Sequence, residues 1–134
     1  MTHLDGGHLQ SCCCLPLVPF GQSLNLGKLG LAARATVLTR DALAPGPAIT
    51  GASLPAGLAF LDPPYRSGLA APALAALAAA GWIAAGALVS IEVGAKEDFA
   101  PPDGIEVLDE RRYGAAKLVL ARARARSGLS PSLP

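Results

Sequence analysis

The chain has 134 residues, of which 51% are apolar and 4% aromatic, and its formal net charge is +1. This length allows one domain, and the apolar content excludes a wholly disordered chain. The near-neutral charge lacks the strong basic excess typical of dedicated nucleic-acid-binding domains. The three cysteines, Cys12 to Cys14, are adjacent, so an unstrained disulfide between them is disfavoured. Since no CxxC spacing occurs, we predict a reduced cytoplasmic protein without a metal site.

The elements predicted along the chain begin after a segment that resembles neither a helix nor a strand. We expect residues 1–23 to be a disordered leader, because they mix Gly, Pro, Cys and His without periodicity. A weak helix is predicted over Leu24–Ala33, and a strong helix over Ala71–Ala80 that Gly81 caps. Apolar and β-branched runs predict five strands, over Ala35–Thr39, Leu58–Leu61, Ala87–Val93, Ile105–Arg112 and Ala116–Ala125.

This order of elements predicts an α/β fold with a mainly parallel sheet that helices cover on both faces. The short Tyr113-Gly114 connection makes the last two strands an antiparallel hairpin at the C-terminal end. We assign residues 24–126 to this domain and residues 127–134 to a tail. An alternative, a membrane span over the uncharged residues 70–91, is disfavoured because alanine inserts weakly and Pro72 and Gly81 interrupt the run. We therefore predict no membrane contact.

The candidate catalytic motif is Asp62-Pro63-Pro64-Tyr65, which directly follows the apolar strand ending at Leu61. Ligands of α/β sheets bind at the carboxyl ends of strands. Methylation of an exocyclic amine requires acceptors that localise the nitrogen lone pair, and the Asp62 carboxylate and the Pro63 carbonyl are suited to this. The two prolines hold these acceptors in place, and the Tyr65 ring offers a face on which a flipped base can stack.

Three segments resemble the bacterial 16S rRNA guanine-N2 methyltransferase family, over about its C-terminal two-thirds. They are LGLAARATVLTRDAL (29–43), LAFLDPPYRSGLAAPALAALAAAGWIAAGALVSIE (58–92) and LDERRYGAAKLVLAR (108–122). The resemblance implies a partial Rossmann-like fold, S-adenosylmethionine as cofactor, and 16S rRNA or the small ribosomal subunit as partner. It also implies a monomer.

The resemblance implies roles for particular residues. Asp62, Pro63, Pro64 and Tyr65 match the motif that binds the amino group of the target guanine. Asp41 and Ala42 match the strand end beside the adenine of the cofactor. Three further residues are candidates for contact with RNA, although a solvated side chain is the alternative for each: Arg66, Arg112 and Tyr113.

The chain departs from the family pattern in its first part. The family has a Gly-rich loop after its first strand and an acidic residue at the end of its second, and neither is present here. We therefore expect a truncated chain whose sheet lacks its first two strands, with an exposed edge and weak or absent cofactor binding. Two alternatives remain open: a remnant that binds RNA or a partner without turnover, and an amino methyltransferase acting on adenine in DNA or on protein.

Overall fold

The computed structural model describes residues 2–5, 8–13, 27–30, 35–48 and 55–124. Seven strands form one sheet in the order β3-β2-β1-β4-β5-β7-β6. Their bounds, with those of the one described helix of full length, are β1 (Thr2–Asp5), β2 (His8–Cys13), β3 (Ala35–Thr39), β4 (Ala56–Leu61), α1 (Ala70–Ala79), β5 (Ile83–Gly94), β6 (Ile105–Tyr113) and β7 (Ala116–Ala123). The α/β class is confirmed, with one mixed sheet and a helix between β4 and β5.

The strand directions place the carboxyl ends of five strands together. β4 pairs with β5 and β2 with β3 in parallel, whereas β1 is antiparallel to β4 and to β2. β7 is antiparallel to both β5 and β6, which confirms the predicted C-terminal hairpin. β2, β3, β4, β5 and β6 therefore end at the same side of the sheet, which we call the carboxyl edge.

The leader is the main difference from the sequence-based expectation. Residues 2–5 and 8–13, which we expected to be disordered, form β1 and β2, and β1 occupies the edge of β4 that we expected to be exposed. Backbone donors and acceptors pair regardless of side chain, so the open edge of a strand can be satisfied by a segment with no strand pattern. The edge of β4 that we expected to be exposed is thus paired, by a strand that runs antiparallel to it.

Other bounds differ less. β3 has the predicted bounds, β4 begins two residues earlier, and β5 begins at Ile83 rather than Ala87. The β4–β5 register shifts between Ala56 and Leu58, and Gly86 of β5 has φ +81°. β5 is therefore irregular just before Ala87, the residue at which the sequence predicted that the strand begins. Of the weak helix Leu24–Ala33, residues 27 and 28 are helical, residues 29 and 30 form a turn, and the others lie outside the described residues, as does the tail 127–134.

The core lies between α1 and one face of the sheet. Leu74 and Leu77 of α1 are fully buried, and they join Trp82 and the buried side chains of β4, β5 and β7 in one cluster. α1 ends as predicted at Gly81: the Gly81 N–H bonds to the Ala78 carbonyl and the Trp82 N–H to the Leu77 carbonyl, a Schellman arrangement.

On the opposite face of the sheet, large apolar side chains of the described strands are partly exposed. Phe60, Leu118 and Leu120 on this face are each more than a third exposed. Only α1 among the described helical segments is long enough to cover a face, and it covers the other one. No helix among the described residues has the length and hydropathy needed to span a membrane.

Candidate active site

The motif Asp62-Pro63-Pro64-Tyr65 lies at the carboxyl edge, immediately after β4. A tight turn follows it, in which the Pro64 carbonyl accepts hydrogen bonds from the Ser67 N–H (3.3 Å) and the Ser67 hydroxyl (2.6 Å). Within this turn Arg66 has φ +60°, and no other non-glycine residue among those described has a positive φ. A left-handed arginine is an uncommon, strained conformation, and such conformations persist where the surrounding structure fixes them.

Two acceptors of the motif are available to a ligand. The Asp62 side chain is exposed, and no described residue donates a hydrogen bond to its carboxylate or to the Pro63 carbonyl. Both groups follow a strand whose backbone is fixed by β5 in parallel register. They therefore lie next to each other along the chain, and no described residue occupies either acceptor.

The Tyr65 ring is also oriented and accessible. Its hydroxyl donates a 2.7 Å hydrogen bond to Oε1 of Glu92, while 46% of the residue remains exposed. This hydrogen bond, together with partial burial and the charge of Glu92, raises the pKa of the Tyr65 phenol above its ordinary value. The phenol is therefore neutral and tethered at its tip, which leaves a ring face free for stacking.

Glu92 is the site residue to which the sequence analysis gave no role. Ile91 of β5 pairs in register with Leu61 of β4, so Glu92 and Asp62 occupy equivalent positions on adjacent parallel strands. Partial burial, and then the charge of Glu92, raise the pKa of the Asp62 carboxyl. The sequence did contain a signal, an acidic residue near the end of the strand that follows α1. Only the parallel pairing of β4 with β5 shows that this residue lies within reach of Tyr65.

Asp41 and Ala42 also lie at the carboxyl edge, because β3 runs parallel to β4. The Asp41 carboxylate accepts the Leu43 N–H at 2.9 Å and its carbonyl accepts the Ala44 N–H at 3.0 Å, forming an Asx turn. β2 and β1 separate β3 from β4, so about 14 Å lies between the two strand ends at the usual strand spacing. The structure thus places these residues on the same edge as the motif but not in contact with it.

The hairpin residues predicted to contact RNA lie at the same edge. Tyr113 ends β6 and is 61% exposed, and the adjacent Arg112 is exposed opposite Lys117 of β7. The Ala95 N–H bonds to the Ala115 carbonyl at 2.8 Å, which ties the hairpin turn to the end of β5. Arg66, in the motif turn, is exposed as well. The structure therefore brings the three candidates to one rim without bringing them into contact with one another.

A pocket of about 320 Å³, including the solvent at its mouth, lies next to the motif at the start of α1. One wall is the segment after β5, which is held by buried Lys117: its ammonium donates to the Glu97 carbonyl, and the Glu97 carboxylate accepts the Gly94 N–H. The lining residues are Pro63, residues 67–71, Val93 and residues 97–100. Because Pro63 belongs to the lining, the pocket adjoins one of the two candidate acceptors.

The described residues do not complete a site for S-adenosylmethionine. In Rossmann-like sheets the loop after the central strand cradles the ligand at the carboxyl edge. Here β1, which neighbours β4, is antiparallel, so its carboxyl end lies at the opposite edge, and β2 ends in Cys12-Cys13 rather than in an acid. The described residues also contain no cluster of three His, Cys, Asp or Glu side chains suited to a metal ion.

Comparison with known proteins gives a consistent fold. The family described as conserved hypothetical protein 95 matches residues 22–122. An uncharacterised methylase of Rickettsia prowazekii is 29% identical over 65 residues, which are 48% of this chain and 28% of that protein. A candidate methylase of Haemophilus influenzae is 21% identical with a TM-score of 0.69, covering 89% of this chain and 74% of that one.

A candidate methyltransferase of Escherichia coli, YhhF, is 24% identical with a TM-score of 0.68, covering 87% of this chain and 63% of that one. The match to the curated relative from Rickettsia spans less than a third of that protein. Because the family match extends over most of the sequence, the chain belongs to the conserved hypothetical protein 95 family, and it has the methyltransferase fold of the two solved structures to which it is similar.

Proposed function

We propose that the carboxyl edge of β4 holds the exocyclic amino group of a nucleobase for S-adenosylmethionine-dependent methylation, and that the target is N2 of a guanine in 16S rRNA. The observation that carries this proposal is the juxtaposition of two unoccupied acceptors, the Asp62 carboxylate and the Pro63 carbonyl, with the exposed ring of Tyr65. The methyl donor has no complete site among the described residues, so the chemistry assigned to this chain is confined to binding and orienting the amine.

The role of the acceptors follows from the electronic structure of an aryl amine. Its lone pair is delocalised into the ring, so the nitrogen is a poor nucleophile while it is planar. Two acceptors that take the two N–H bonds out of the ring plane favour the tetrahedral nitrogen, and they act most strongly when they are held in place beforehand. Pro63 and Pro64 restrict the backbone that carries these acceptors. The chain therefore lowers the cost of reorganising the amine.

Tyr65 supplies the second part of the binding energy. An enzyme that acts on a base edge must take the base out of its stack, and an aromatic platform compensates for the lost stacking by about 1–3 kcal/mol. The hydrogen bond from Tyr65 to Glu92 fixes the ring beside the acceptors. Guanine stacked on Tyr65 would present its amino group to Asp62 and Pro63.

The assignment to rRNA rests on the resemblance of residues 29–43, 58–92 and 108–122 to the guanine-N2 family, and on the cations at the rim. Arg66 and Arg112 are exposed at the same edge as the motif and are available to phosphates. The partner would be 16S rRNA or the small ribosomal subunit, bound by a monomer in the cytoplasm. Asp41 and Ala42 would lie beside the adenine of the cofactor.

A second candidate function is favoured by one observation. Because β1 runs antiparallel to β4, the described chain lacks the loop that holds the cofactor in related sheets. In this alternative the chain binds RNA through the same amine-holding edge without methylating it.

The test uses the intact chain, labelled S-adenosylmethionine and small ribosomal subunits. We expect methyl transfer that Asp62→Ala reduces by about 100-fold or more, the usual effect of removing one preorganised hydrogen-bonding group. Asp103→Ala is the matched control: this exposed aspartate lies before β6, at the opposite edge, and its loss should leave transfer unchanged.

The outcomes separate the two candidates. No cofactor binding in equilibrium dialysis, with RNA binding that still depends on Asp62, would favour the non-catalytic alternative. Transfer or RNA binding that is indifferent to Asp62→Ala would contradict the assignment of the site itself.

A further inference from the structure

Glu92 carries an oriented oxygen that the proposed role of the motif does not use. Its Oε1 accepts the Tyr65 hydroxyl at 2.7 Å, and this bond fixes the direction of the carboxylate. No described residue donates to Oε2. Since the residue preceding Glu92 pairs in register with the residue preceding Asp62, Oε2 belongs to the same edge as the motif acceptors.

The motif edge therefore presents three acceptors: the Asp62 carboxylate, the Pro63 carbonyl and Oε2 of Glu92. The first two are the partners already assigned to the two N–H bonds of an amino group. A third acceptor beside them would be satisfied by a ligand that carries a third N–H next to that amino group. This requirement distinguishes the nucleobases by their chemistry alone.

Guanine and adenine differ at the atom next to the amino group. Guanine carries the two N2 hydrogens and, next to them, the N1 hydrogen, so these neighbouring groups offer three donors. The corresponding edge of adenine carries two N6 hydrogens and an unprotonated N1, which is an acceptor. Flipped bases are recognised through this edge, and a carboxylate opposite the N1 of adenine would repel it.

We propose that Glu92 accepts the N1 hydrogen of a flipped guanine and so makes this edge selective for guanine over adenine. The inference deepens the proposed function and rests on it. It also argues against the alternative of an adenine target. Glu92 would then serve two purposes: its Oε1 holds the Tyr65 hydroxyl and so fixes the stacking ring, and its Oε2 accepts the N1 hydrogen of the base.

The test compares purines that differ at these positions, each at the centre of a short oligouridine bound by the full chain. 2-Aminopurine keeps the amino group of guanine but lacks the N1 hydrogen. An acceptor left facing a like group weakens binding, so the wild-type chain should bind the guanine RNA about 10-fold tighter than the 2-aminopurine RNA. The variant Glu92→Gln keeps an oxygen for Tyr65 and gains an N–H that can face the unprotonated N1.

In Glu92→Gln the ratio of the two affinities should fall to about one, because the carboxamide can pair with either base. 2-Aminopurine also lacks the guanine oxygen, but that difference acts equally on both proteins, so the change in ratio reports on residue 92. Glu110→Gln is the matched control, an exposed glutamate on β6 that should keep the wild-type ratio. Glu92→Ala, which removes the acceptor altogether, should also lose the discrimination.

Equal wild-type binding of guanine and 2-aminopurine RNAs would overturn the proposal, as would an unchanged ratio in both Glu92 variants. An inosine RNA, which keeps the N1 hydrogen but lacks the amino group, separates this failure from failure of the proposed function. If inosine is bound as tightly as guanine, the motif does not hold an amino group. If none of the RNAs binds, both the selectivity and the proposed function are wrong.

Discussion

The two ends of the same sheet are held in place to different degrees. β5 and β7 pair through seven residue positions, and the buried side chains from β4 to β7 form one cluster with α1. β1 and β4, by contrast, pair through two positions, Thr2 with Phe60 and His3 with Ala59. The comparison shows that pairing within one sheet is uneven, because the β5–β7 ladder is long and the β1–β4 ladder is short.

This difference divides the candidate site. Asp62, Tyr65 and Glu92 depend on the β4–β5 pair, which belongs to the packed part of the sheet. The cofactor side depends on what lies beyond β4, where β1 runs in the opposite direction from the other neighbour, β5. The half of the candidate site that is proposed to hold the amine thus lies in the part of the sheet that packs against α1.

The largest predicted contrast comes from removing one backbone donor from each part of the sheet. Leu120→Pro in β7, which is paired on both sides, should lower the free energy of unfolding by about 3 kcal/mol or more, because proline breaks a ladder and its ring clashes. His3→Pro in β1 should lower it by less: β1 is also paired on both sides, but its ladder with β4 joins two residue pairs, Thr2 with Phe60 and His3 with Ala59. Urea unfolding followed by the fluorescence of Trp82, the single tryptophan, measures both.

Equal losses in the two proline variants would show that β1 is as integral to the fold as β7. That result would remove the distinction between the two parts of the sheet. A loss of stability in His3→Pro but not in Leu120→Pro would reverse the distinction between the two parts of the sheet.

A smaller contrast is expected from two leucine truncations. Leu77→Ala removes a fully buried side chain from the cluster under the sheet and should cost about 2 to 3 kcal/mol, the lower part of the usual range because small alanine neighbours allow the helix to move inward. Leu29→Ala truncates a side chain that is 70% exposed and should change stability by less than about 0.5 kcal/mol. Thermal unfolding by calorimetry checks both, and a costly Leu29→Ala would contradict the assignment of the core.

The smallest effect concerns the charge of Asp62. Since burial and the charge of Glu92 raise its pKa in the folded state, the ionised carboxylate opposes folding. The stability associated with the protonated form is present at low pH and is lost as the pH rises through the raised pKa. Asp62→Asn should therefore be at least as stable as the wild type at neutral pH, and this advantage should vanish in acid.

Glu106→Gln provides a control of opposite sign. The hydrogen bond and charge of Arg124 lower the pKa of the Glu106 carboxyl, so its contribution is present at neutral pH and is lost as the pH falls. Stability measured as a function of pH distinguishes the two variants. If the Asp62→Asn variant were less stable than the wild type at neutral pH, the claim that burial and Glu92 disfavour the ionised Asp62 carboxylate would be contradicted.

Several element boundaries could be predicted from the sequence for physical reasons. The β-branched run Ala35–Thr39 has the bounds of β3. β4 ends at Leu61, shortly before the two prolines of the motif, and α1 ends in the cap formed by Gly81. These are local signals, in which one residue type permits or forbids one backbone conformation. They locate the motif because the motif is itself a local run.

The rest could not be predicted because it depends on pairing between distant segments. β1 and β2 carry no strand pattern of their own, and their position follows from an edge of β4 that needs partners. The role of Glu92 likewise follows from the register that sets it beside Asp62 and within reach of Tyr65. Neither relation is visible in a window of sequence.

The central claim, that the end of β4 grips an amino group of a base, is tested most directly by comparing two ligands that differ only in that group. Guanosine monophosphate carries the 2-amino group and inosine monophosphate does not. In amide NMR spectra of the labelled chain, guanosine monophosphate should shift the signals of residues 62–67 and Glu92 at concentrations where inosine monophosphate shifts them far less. Equal responses to the two nucleotides, or shifts confined to another surface, would contradict the claim.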